Sequence, residues 1–528
     1  MNTSMNIPPT TRPRVVIVGG GFGGVALAKS LGNTAYQVVL LDKRNYNTFT
    51  PLLYQVATAA LEPDSVVAPL REILDKYPNL FFRLTEVTAV VPERNTVQTT
   101  HGELTYDYLV IASGSRTNDY HIPGVAEYGM PLKTLPEAIN IRNLLLENAE
   151  KALTEEAGPR RESLLTVVVA GGGPTGVEMA GAIAELRQHE FSSDYREMDP
   201  GQMRVILLEK GPKLLAGMSD AASVHALEFL RGLGVQVRLH TGLAAYDGEV
   251  ARLTDGSALP TRCLLFTAGV DANPVPGLAA GVYGKANRIR VDAHLRVEGY
   301  ANVFAIGDVA AVTCAARPGD HPMLAQPALQ QGHYLGKYLK ANLSPRTAPF
   351  RYKDLGSLAI VGRNKAVADF SWGRFGGAFA WLLWLGIHLV QLVGFRNRAV
   401  VLVNWAITYL GLGKQLRLIV RPEPRPQPAA GAGRLLKSAW LLPGLLLGQA
   451  AQAQSADDAG LLGQPGILIT LVLILIPLLL AVLFLLQRVQ RAVRLYQLGQ
   501  VRKEEQAVAD SLSVLDGEDL RKRVVRQP

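Results

Sequence analysis

Short apolar runs alternate with glycine-containing turns and helix-like segments in the first half of the chain. Residues 15–18 and 37–41 consist mostly of Val, Ile and Leu, and each predicts a strand buried on both faces, as in a parallel sheet. Residues 25–31 lie between these runs and predict a helix. Residues 80–111 continue the pattern as alternating strands. This succession of strands and helices predicts an α/β fold.

Three glycines separate the first predicted strand from its helix. Gly19, Gly21 and Gly24 have the spacing G-x-G-x-x-G: the first makes a tight turn, the second lets a pyrophosphate approach the backbone, and the third lets helix pack on strand. Phosphates would then lie against the positive N-terminus of the helix. Asp42 follows Gly19 by 23 residues, where a ribose-binding carboxylate is expected. We therefore predict a dinucleotide site here.

The same spacing recurs at Gly171, Gly173 and Gly176, again after a β-branched run and before an Ala-rich helix. The next predicted strand, 204–208, ends at Glu209, 38 residues after Gly171, and we attribute the long interval to a polar insertion. A carboxylate at this position would accept a hydrogen bond from a ribose 2′-OH and repel a 2′-phosphate. The second site is therefore predicted to bind NADH rather than NADPH.

Other segments suggest ligand contacts and also have simpler interpretations. Residues 43–55 are either a wall beside the redox ring or an ordinary structured loop. Asp308 follows an apolar strand and would bind a polyol such as a ribityl chain, or else cap a helix. Gln326 and Gln330 lie four residues apart on one predicted helical face, where they would bind ligand carbonyl groups or form a surface pair.

The apolar residues become concentrated toward the C-terminus. Residues 375–395 carry no charge, and residues 399–412 are apolar again. A histidine, a glutamine and several glycines in these runs favour helices that lie in a membrane interface. The alternative is the buried core of a domain or dimer. A Pro-rich linker follows. Residues 434–454 look like an internal secretory signal, and 467–486 predict a transmembrane helix. These two segments would form a membrane hairpin. Arginines at its two ends favour the cytoplasmic side, so both ends are predicted to lie in the cytoplasm and the connection between the segments outside.

Length, charge and cysteine spacing exclude several classes of protein and of site. The chain has 528 residues, too many for one ordinary core. The net charge is +9, but the basic residues form no stripe with interleaved aromatic residues, which argues against nucleic-acid binding. Much of the positive charge flanks the apolar C-terminal segments. Cys263 and Cys314 lack C-x-x-C or metal-ligand spacing, so we predict neither a disulfide framework nor a metal site. Without a signal-peptide pattern at the N-terminus, the glycine loops are expected to face the cytoplasm.

The order of motifs resembles that of the type II NADH:quinone oxidoreductases, membrane-bound flavoproteins with two dinucleotide-binding domains, over about residues 13–421. The resemblance rests on residues 19–24, 50–55, 171–178, 266–270, 305–308 and 325–330. Residues 325–330 match the family's A-Q-x-A-x-Q quinone motif. Residues after about 430 depart from the family pattern.

The resemblance implies that the first loop binds FAD and the second binds NADH. Asp42 would contact the adenosine ribose, and Asp308 the ribityl and phosphate end. Glu178 would lie near nicotinamide and flavin and, with Gln326 and Gln330, form the predicted catalytic set; its simpler role is as a first-turn helix acid. The predicted cofactor-binding residues are Gly19, Gly21, Phe22, Gly23, Gly24, Asp42, Lys43, Gly307, Asp308, Gly171, Gly173, Pro174, Thr175, Gly176, Glu209 and Gly269.

We therefore predict two Rossmann-like domains, C-terminal membrane-associated helices and a transmembrane hairpin. The predicted domains are a discontinuous FAD-binding domain (13–160 and 291–371), an inserted NADH-binding domain (161–290), membrane-docking helices (372–421), a linker (422–433), the hairpin (434–490) and a charged cytoplasmic tail (491–528).

The expected activity is non-pumping transfer of electrons from NADH through FAD to a membrane quinone, at the cytoplasmic face of a bacterial inner membrane. Lipid and a second copy of the chain are further expected partners. The rival hypotheses are a membrane-tethered redox sensor and a reductase of the pyridine nucleotide–disulfide or sulfide:quinone type, which would need cysteines at the flavin.

Overall fold

The structure is a computed structural model that describes residues 4–314, 317–409 and 417–421. The strands, in chain order, are β1 (Arg14–Val18), β2 (Gln37–Asp42), β3 (Tyr46–Thr48), β4 (Val67–Pro69), β5 (Leu80–Leu84), β6 (Val87–Val91), β7 (Thr96–Thr99), β8 (Gly102–Thr105), β9 (Tyr108–Ile111), β10 (Ser115–Thr117), β11 (Met130–Pro131), β12 (Thr166–Ala170), β13 (Arg204–Leu208), β14 (Gln236–Arg238), β15 (Leu243–Tyr246), β16 (Val250–Leu253), β17 (Ala258–Pro260), β18 (Cys263–Phe266), β19 (Val270–Ala272), β20 (Ile289–Arg290), β21 (Val303–Ala305), β22 (Ala310–Ala311), β23 (Thr313–Cys314), β24 (Arg317–Asp320), β25 (Ser357–Gly362), β26 (Lys365–Phe370) and β27 (Gly373–Gly376).

Twelve α-helices lie within these described residues. They are α1 (Phe22–Ser30), α2 (Leu53–Ala57), α3 (Leu70–Leu74), α4 (Val125–Tyr128), α5 (Leu135–Thr154), α6 (Pro159–Leu165), α7 (Pro174–Leu186), α8 (Ser192–Asp194), α9 (Asp220–Gly232), α10 (Ala325–Lys340), α11 (Gly377–Gln391) and α12 (Phe395–Tyr409).

Two parallel sheets of five strands among the described residues confirm the predicted α/β fold. The first has the order β21-β9-β1-β2-β5, and the second β11-β18-β12-β13-β14. In each sheet the strand before a glycine motif, β1 or β12, lies between two parallel neighbours. These strands are buried on both faces, which explains why their sequences lack polar alternation.

A two-stranded ribbon connects the sheets. Strands β10 and β19 pair in antiparallel register, with Ser115 opposite Ala272 and Thr117 opposite Val270. Each follows a sheet strand that ends on small residues: β10 follows β9 and β19 follows β18. The connections that follow β9 and β18 therefore lie side by side.

Glycines bring α10 and α7 unusually close to their neighbours. A Cβ at Gly332 of α10 would lie 2.5 Å from the carbonyl oxygen of Gly23 in α1. A Cβ at Gly181 of α7 would lie 1.7 Å from the carbonyl oxygen of Val361 in β25. The first contact sets the N-terminus of α10 beside the first glycine loop, and the second sets α7 against the C-terminal sheet β25-β26-β27.

Helices α11 and α12 cover the uncharged stretch and the apolar stretch after it, with 15 residues each. Within the described part of the chain, no helix is both long and apolar enough to cross a bilayer. The predicted linker, hairpin and tail lie outside the described residues, so the transmembrane part of the predicted fold has no support here.

Candidate active site

The first glycine loop has the backbone conformation that its spacing predicts. Gly19 has a φ of +110°, and a Cβ there would lie 2.3 Å from the carbonyl oxygen of Ala112. A Cβ at Gly24 would lie 1.9 Å from the carbonyl oxygen of Gly19, so only glycine lets α1 pack on this turn. Gly21 has no other atom within 4 Å of its Cβ position and is open to a ligand.

Asp42 fixes this loop from the end of β2. Its Oδ2 accepts a hydrogen bond from the N–H of Gly20 at 2.6 Å, and its Oδ1 accepts one from the N–H of Arg44 at 2.7 Å. Burial raises the pKa of the Asp42 carboxyl, although these hydrogen bonds and nearby cations oppose the shift. The acid thus organises the glycine loop as well as facing the space where a ribose would lie.

The second loop repeats this geometry. Gly171 has a φ of +117°, and a Cβ at Gly176 would lie 1.8 Å from the carbonyl oxygen of Gly171. Glu209 accepts hydrogen bonds from the N–H groups of Gly172 at 2.7 Å and Gly211 at 2.6 Å. Its carboxylate therefore occupies the place that Asp42 has in the first loop, despite the longer sequence interval. Gly173 is open in the same way as Gly21.

One large cleft, of about 1450 Å³, joins many of the predicted site residues. The predicted residues that line it are Gly19, Gly21, Phe22, Gly23, Asp42, Lys43, Pro174, Thr175, Glu178, Gly307, Asp308 and Gln326. Those outside its lining are Gly24, Gly171, Gly173, Gly176, Glu209, Gly269 and Gln330. The cleft thus reaches from the first glycine loop to the start of α7 and to the A-Q-x-A-x-Q motif at residues 325–330. Tyr46, Thr48, Thr50, Pro51 and Tyr54 of the 43–55 segment line the cleft; that this segment forms a wall beside the redox ring stays a prediction.

Asp308 lies in the middle of the cleft wall with two partners from distant segments. Ser115 donates a hydrogen bond to its Oδ2, and the Lys133 ammonium lies 3.5 Å from the same oxygen. The N–H of Gly307 donates to Oε1 of Gln331 at 2.6 Å. Asp308 lies inside a short 3-10 segment whose N-cap is Ile306, so helix capping is not its role.

Glu178 lies on the first turns of α7, facing the cleft. Its carboxyl accepts a hydrogen bond from the N–H of Ile360, but burial is the larger effect and raises its pKa to about 8. Tyr54 is buried nearby, and its hydroxyl accepts a hydrogen bond from Gln55 Nε2 at 2.7 Å. Gln55 Oε1 in turn accepts from the Trp405 indole of α12 at 2.8 Å. With its pKa of about 8, the Glu178 carboxyl group is suited to exchange a proton near neutral pH.

Gln326 and Gln330 lie on the same face of α10, but the two side chains have different surroundings. Gln326 lines the cleft; its Oε1 is buried without a hydrogen-bond partner, and its Nε2 lies 3.4 Å from the carbonyl oxygen of Gly356. Gln330 exchanges two hydrogen bonds of 2.9 Å with the backbone N–H and C=O of Lys353. The Gln330 amide is therefore already paired with the 353 backbone, while Gln326 borders the cleft; that both amides contact one ligand stays a prediction.

The pyridine nucleotide-disulphide oxidoreductase family matches residues 13–332, and the NDH2 C-terminal domain matches residues 355–412. The type II NADH:quinone oxidoreductase Ndh of Mycobacterium tuberculosis is 35% identical over 423 residues, which cover 76% of this chain and 89% of that protein. The related NdhA of the same organism is 36% identical over 418 residues, covering 76% and 88%.

The chain belongs to the type II NADH:quinone oxidoreductase family. A solved structure of NDH2 from Plasmodium falciparum in complex with NADH covers 78% of this chain and 100% of its own, with a TM-score of 0.71 and 22% identity, which supports the fold.

A structure of the sulfide:quinone oxidoreductase from Aquifex aeolicus shares the fold at a TM-score of 0.59 and 19% identity, covering 78% and 96%. In this type II family member, Cys263 is buried in β18 and does not line the cleft, and burial raises the pKa of its thiol to about 12. Such a thiol is a poor nucleophile. Cys263 therefore gives no support to the cysteine-dependent rival.

Two residues that line the cleft, Lys133 and His388, belong to none of the sequence motifs. Lys133 precedes the capping box of α5, formed by Thr134 and Glu137, and so has a fixed position beside Asp308. Its only sequence signal was the box itself, T-x-x-E, before an apolar run. His388 of α11 also lines the cleft; its ring stacks on Trp384 at 4.0 Å, and burial lowers its pKa to about 4, so the imidazole is neutral. An isolated histidine in an apolar run was its signal.

Proposed function

We propose that this chain oxidises NADH through FAD and reduces a membrane quinone. The observation that carries the proposal is the continuity of the cleft. It begins at the first glycine loop, passes Asp308, meets Pro174, Thr175 and Glu178 at the start of α7, and ends at Gln326 and His388. A cofactor bound along it would face the second dinucleotide loop on one side and the quinone motif on the other.

The first loop fits the FAD pyrophosphate. Gly21 leaves its Cβ position empty on the cleft side, and α1 begins directly after it, so backbone N–H groups and the helix dipole point at the phosphates. Asp42 would hold the adenosine ribose, while Asp308, positioned by Ser115 and Lys133, would hold the ribityl end. When bound, FAD supplies the step between a two-electron hydride donor and the quinone.

The second loop fits NADH. Gly173 is open, and Pro174 and Thr175 carry the start of α7 into the cleft, which aims the nicotinamide end toward the flavin. Glu209 would accept hydrogen bonds from the adenosine ribose and oppose a 2′-phosphate. Gly269 lies in the β18–β19 connection outside the cleft lining, against Tyr120, so we assign it a backbone-packing role.

Gln326 and His388 define the quinone end. The buried Gln326 amide oxygen lacks a hydrogen-bond partner and is costly to leave unpaired, which supports a donor from a ligand there, such as a quinol hydroxyl. The NH₂ group of Gln326 would donate to a quinone oxygen. Glu178 would hold or release a proton beside the nicotinamide and flavin. Gln330 would position the 353 loop rather than touch quinone, since both its hydrogen bonds go to Lys353.

We extend the proposal to membrane docking through α11 and α12. Exposed apolar side chains lie on and next to these helices, namely Trp372, Phe379, Leu382 and Phe395. Such side chains suit the interfacial region of a bilayer. The predicted topology of residues 434–490 would place this attachment at the cytoplasmic face of a bacterial inner membrane, and a second copy of the chain stays a predicted partner. Vesicle sedimentation with and without residues 422–528 tests which segment supplies the attachment.

An anaerobic absorbance trace of the purified protein tests the central proposal. Adding NADH should bleach the flavin band, and adding a short-chain quinone should restore it fully; NADPH serves as the matched control and should bleach it more weakly. Bleaching without recovery would favour the membrane-tethered sensor. No bleaching by NADH would contradict the assignment of the second loop.

A further inference from the structure

A second cavity, of about 390 Å³, lies between α7, α2 and the helices α11 and α12. Among the described residues, Glu178 and Tyr54 are the two that line both this cavity and the cleft. The other polar groups of its lining include Glu185, His189 and Glu190. Glu178 therefore separates the proposed reaction space from a second, acid-lined space.

The acids of the second cavity follow the helical repeat. Glu178, Ala182, Glu185 and His189 are spaced by four, three and four residues, which places them along one face of α7 and its π-helical continuation, Arg187–Phe191. Ala182 is small, so space remains between the two carboxylates. His189 is exposed, so this row runs from solvent to Glu178.

The backbone of β25 and the turn after it fixes both carboxylates. Glu178 accepts a hydrogen bond from the N–H of Ile360, and Glu185 Oε1 accepts one from the N–H of Arg363. Between them, Gly181 lets α7 touch the carbonyl oxygen of Val361. Among the described residues, each carboxyl group accepts one backbone hydrogen bond and lines the cavity, and Glu178 also lines the cleft.

Charged groups from several elements surround Glu185. His189 on its own helical face, with Arg363 and Lys365 from the β25–β26 turn, favours its ionised form, but burial is the larger effect and raises its pKa. Tyr54 of α2 faces both Glu178 and Glu185. Glu190 is held in an ion pair with Arg417. Glu185 is thus an acid near a solvent-exposed histidine and able to take up a proton.

The proposed reaction requires one proton from water in each turnover. NADH gives up a hydride, which is two electrons and one proton, and becomes NAD⁺. The quinone takes two electrons and two protons and becomes quinol. The second proton must therefore travel from solvent into a cleft that bound cofactors and quinone would fill.

We propose that the second cavity is the route of this proton, which passes from solvent at His189 through Glu185 to Glu178. This inference rests on the proposed function. The seven-residue interval puts the two carboxylates about 10 Å apart along the helix axis, too far for direct transfer. The cavity of about 390 Å³ has room for several water molecules, and the carboxyl groups of Glu178 and Glu185 on its α7 side could hold them between the two acids. Glu185 acts through Glu178 and is a positioning residue, not one that touches substrate.

The decisive variant is Glu185→Gln, which keeps an oxygen for the Arg363 N–H but cannot carry a proton. We expect reduction of the flavin by NADH to keep its wild-type rate. Quinol formation and proton uptake, followed with a pH indicator, should slow about tenfold or more and show an altered solvent deuterium isotope effect. Glu185→Asp should restore most of the rate. Glu228→Gln, at an exposed position on α9, is the matched control and should behave as wild type.

A second pair of variants tests the space rather than the acid. Ala182→Leu would fill the cavity between the carboxylates and should also slow proton uptake. Ala182→Cys should react with a small thiol reagent, measured by mass spectrometry against the wild-type background; this readout does not depend on turnover. A Glu185→Gln protein that lost its flavin would leave the Ala182 variants to decide.

The outcomes separate this inference from the proposed function. If wild-type flavin is bleached by NADH but not restored by quinone, the proposed function fails. If wild type turns over and both Glu185→Gln and Ala182→Leu take up protons at the wild-type rate, the function stands and the proton route is wrong. An unreactive Ala182→Cys would likewise contradict a solvent-connected cavity.

Discussion

Gln326 and Gln330 lie one helical turn apart on α10, yet Gln326 borders the cleft with an unpaired amide oxygen while the Gln330 amide is paired twice with the backbone of Lys353. A buried amide oxygen without a partner is available to a donor on a ligand, whereas the Gln330 amide already has two backbone partners. The two residues therefore offer a matched test within one motif.

Gln326→Ala should abolish or strongly slow quinone reduction, by about tenfold or more, because it removes the hydrogen-bond donor that we propose for the quinone oxygen. NADH should still bleach the flavin at the wild-type rate. Gln330→Ala should change the KM for quinone less and act through the 353 loop. Rapid single-turnover absorbance separates the two half-reactions. Loss of flavin reduction in Gln326→Ala would overturn its assignment to the quinone end.

The close contacts of the two glycine loops give a test of which loop binds which nucleotide. Gly24→Ala would force a Cβ to 1.9 Å from the Gly19 carbonyl oxygen, so the purified protein should lose FAD. Gly176→Ala creates the same clash at 1.8 Å from Gly171 and should retain FAD but bind NADH at least about tenfold more weakly. Flavin content and an NADH titration measure the two effects.

Gly232→Ala is the control for these glycine substitutions, because Gly232 has nothing within 4 Å of its Cβ position. It should keep both FAD and NADH. If Gly176→Ala lost FAD and Gly24→Ala kept it, the two loops would have been assigned in the wrong order.

Glu209→Ala should reduce the preference for NADH over NADPH. The carboxylate holds the N–H groups of Gly172 and Gly211, so its removal should loosen the loop and weaken both coenzymes. NADPH should lose less, because the repulsion of its 2′-phosphate disappears at the same time. The ratio of kcat/KM values for the two coenzymes is therefore the informative quantity. A ratio equal to that of wild type would contradict a ribose-binding role.

The parallel sheets and the glycine loops could be predicted from the sequence, because the contacts that cause them are local. An apolar run without alternation can only be buried on both faces, and the glycine spacing follows from contacts within a few residues, such as Gly24 with Gly19. The same reasoning located Asp42 and Glu209 even though their intervals differ.

The surroundings of the site depended on distant contacts that periodicity does not contain. Ser115 and Lys133 reach Asp308 across 193 and 175 residues of sequence. Gln330 faced the same way as Gln326 by helical period, and only the approach of the Lys353 backbone distinguished them. Glu185 lay in an ordinary amphipathic helix, and its importance appeared once β25 was seen to pack along that face.

The raised pKa of Glu178 predicts a pH-dependent contribution to stability. In the folded protein burial raises the pKa to about 8, whereas the unfolded chain has a value of about 4.3. Between these values the folded state keeps a proton that the unfolded state has lost. The contribution to stability is therefore complete below about pH 4.3 and is lost progressively as the pH rises through about 8.

Glu178→Gln removes this dependence, because an amide does not titrate. Relative to wild type, its melting temperature should rise as the pH is increased from 5 to 9, by about 1–3 °C or more in total. Glu228→Gln, with its exposed side chain, should show a constant offset across the same range. Calorimetric scans of apo and FAD-loaded protein at matched ionic strength provide the measurement. A melting-temperature difference between Glu178→Gln and wild type that stayed flat with pH would mean that Glu178 is ionised at neutral pH, and would remove it as the proton-holding group beside the cleft.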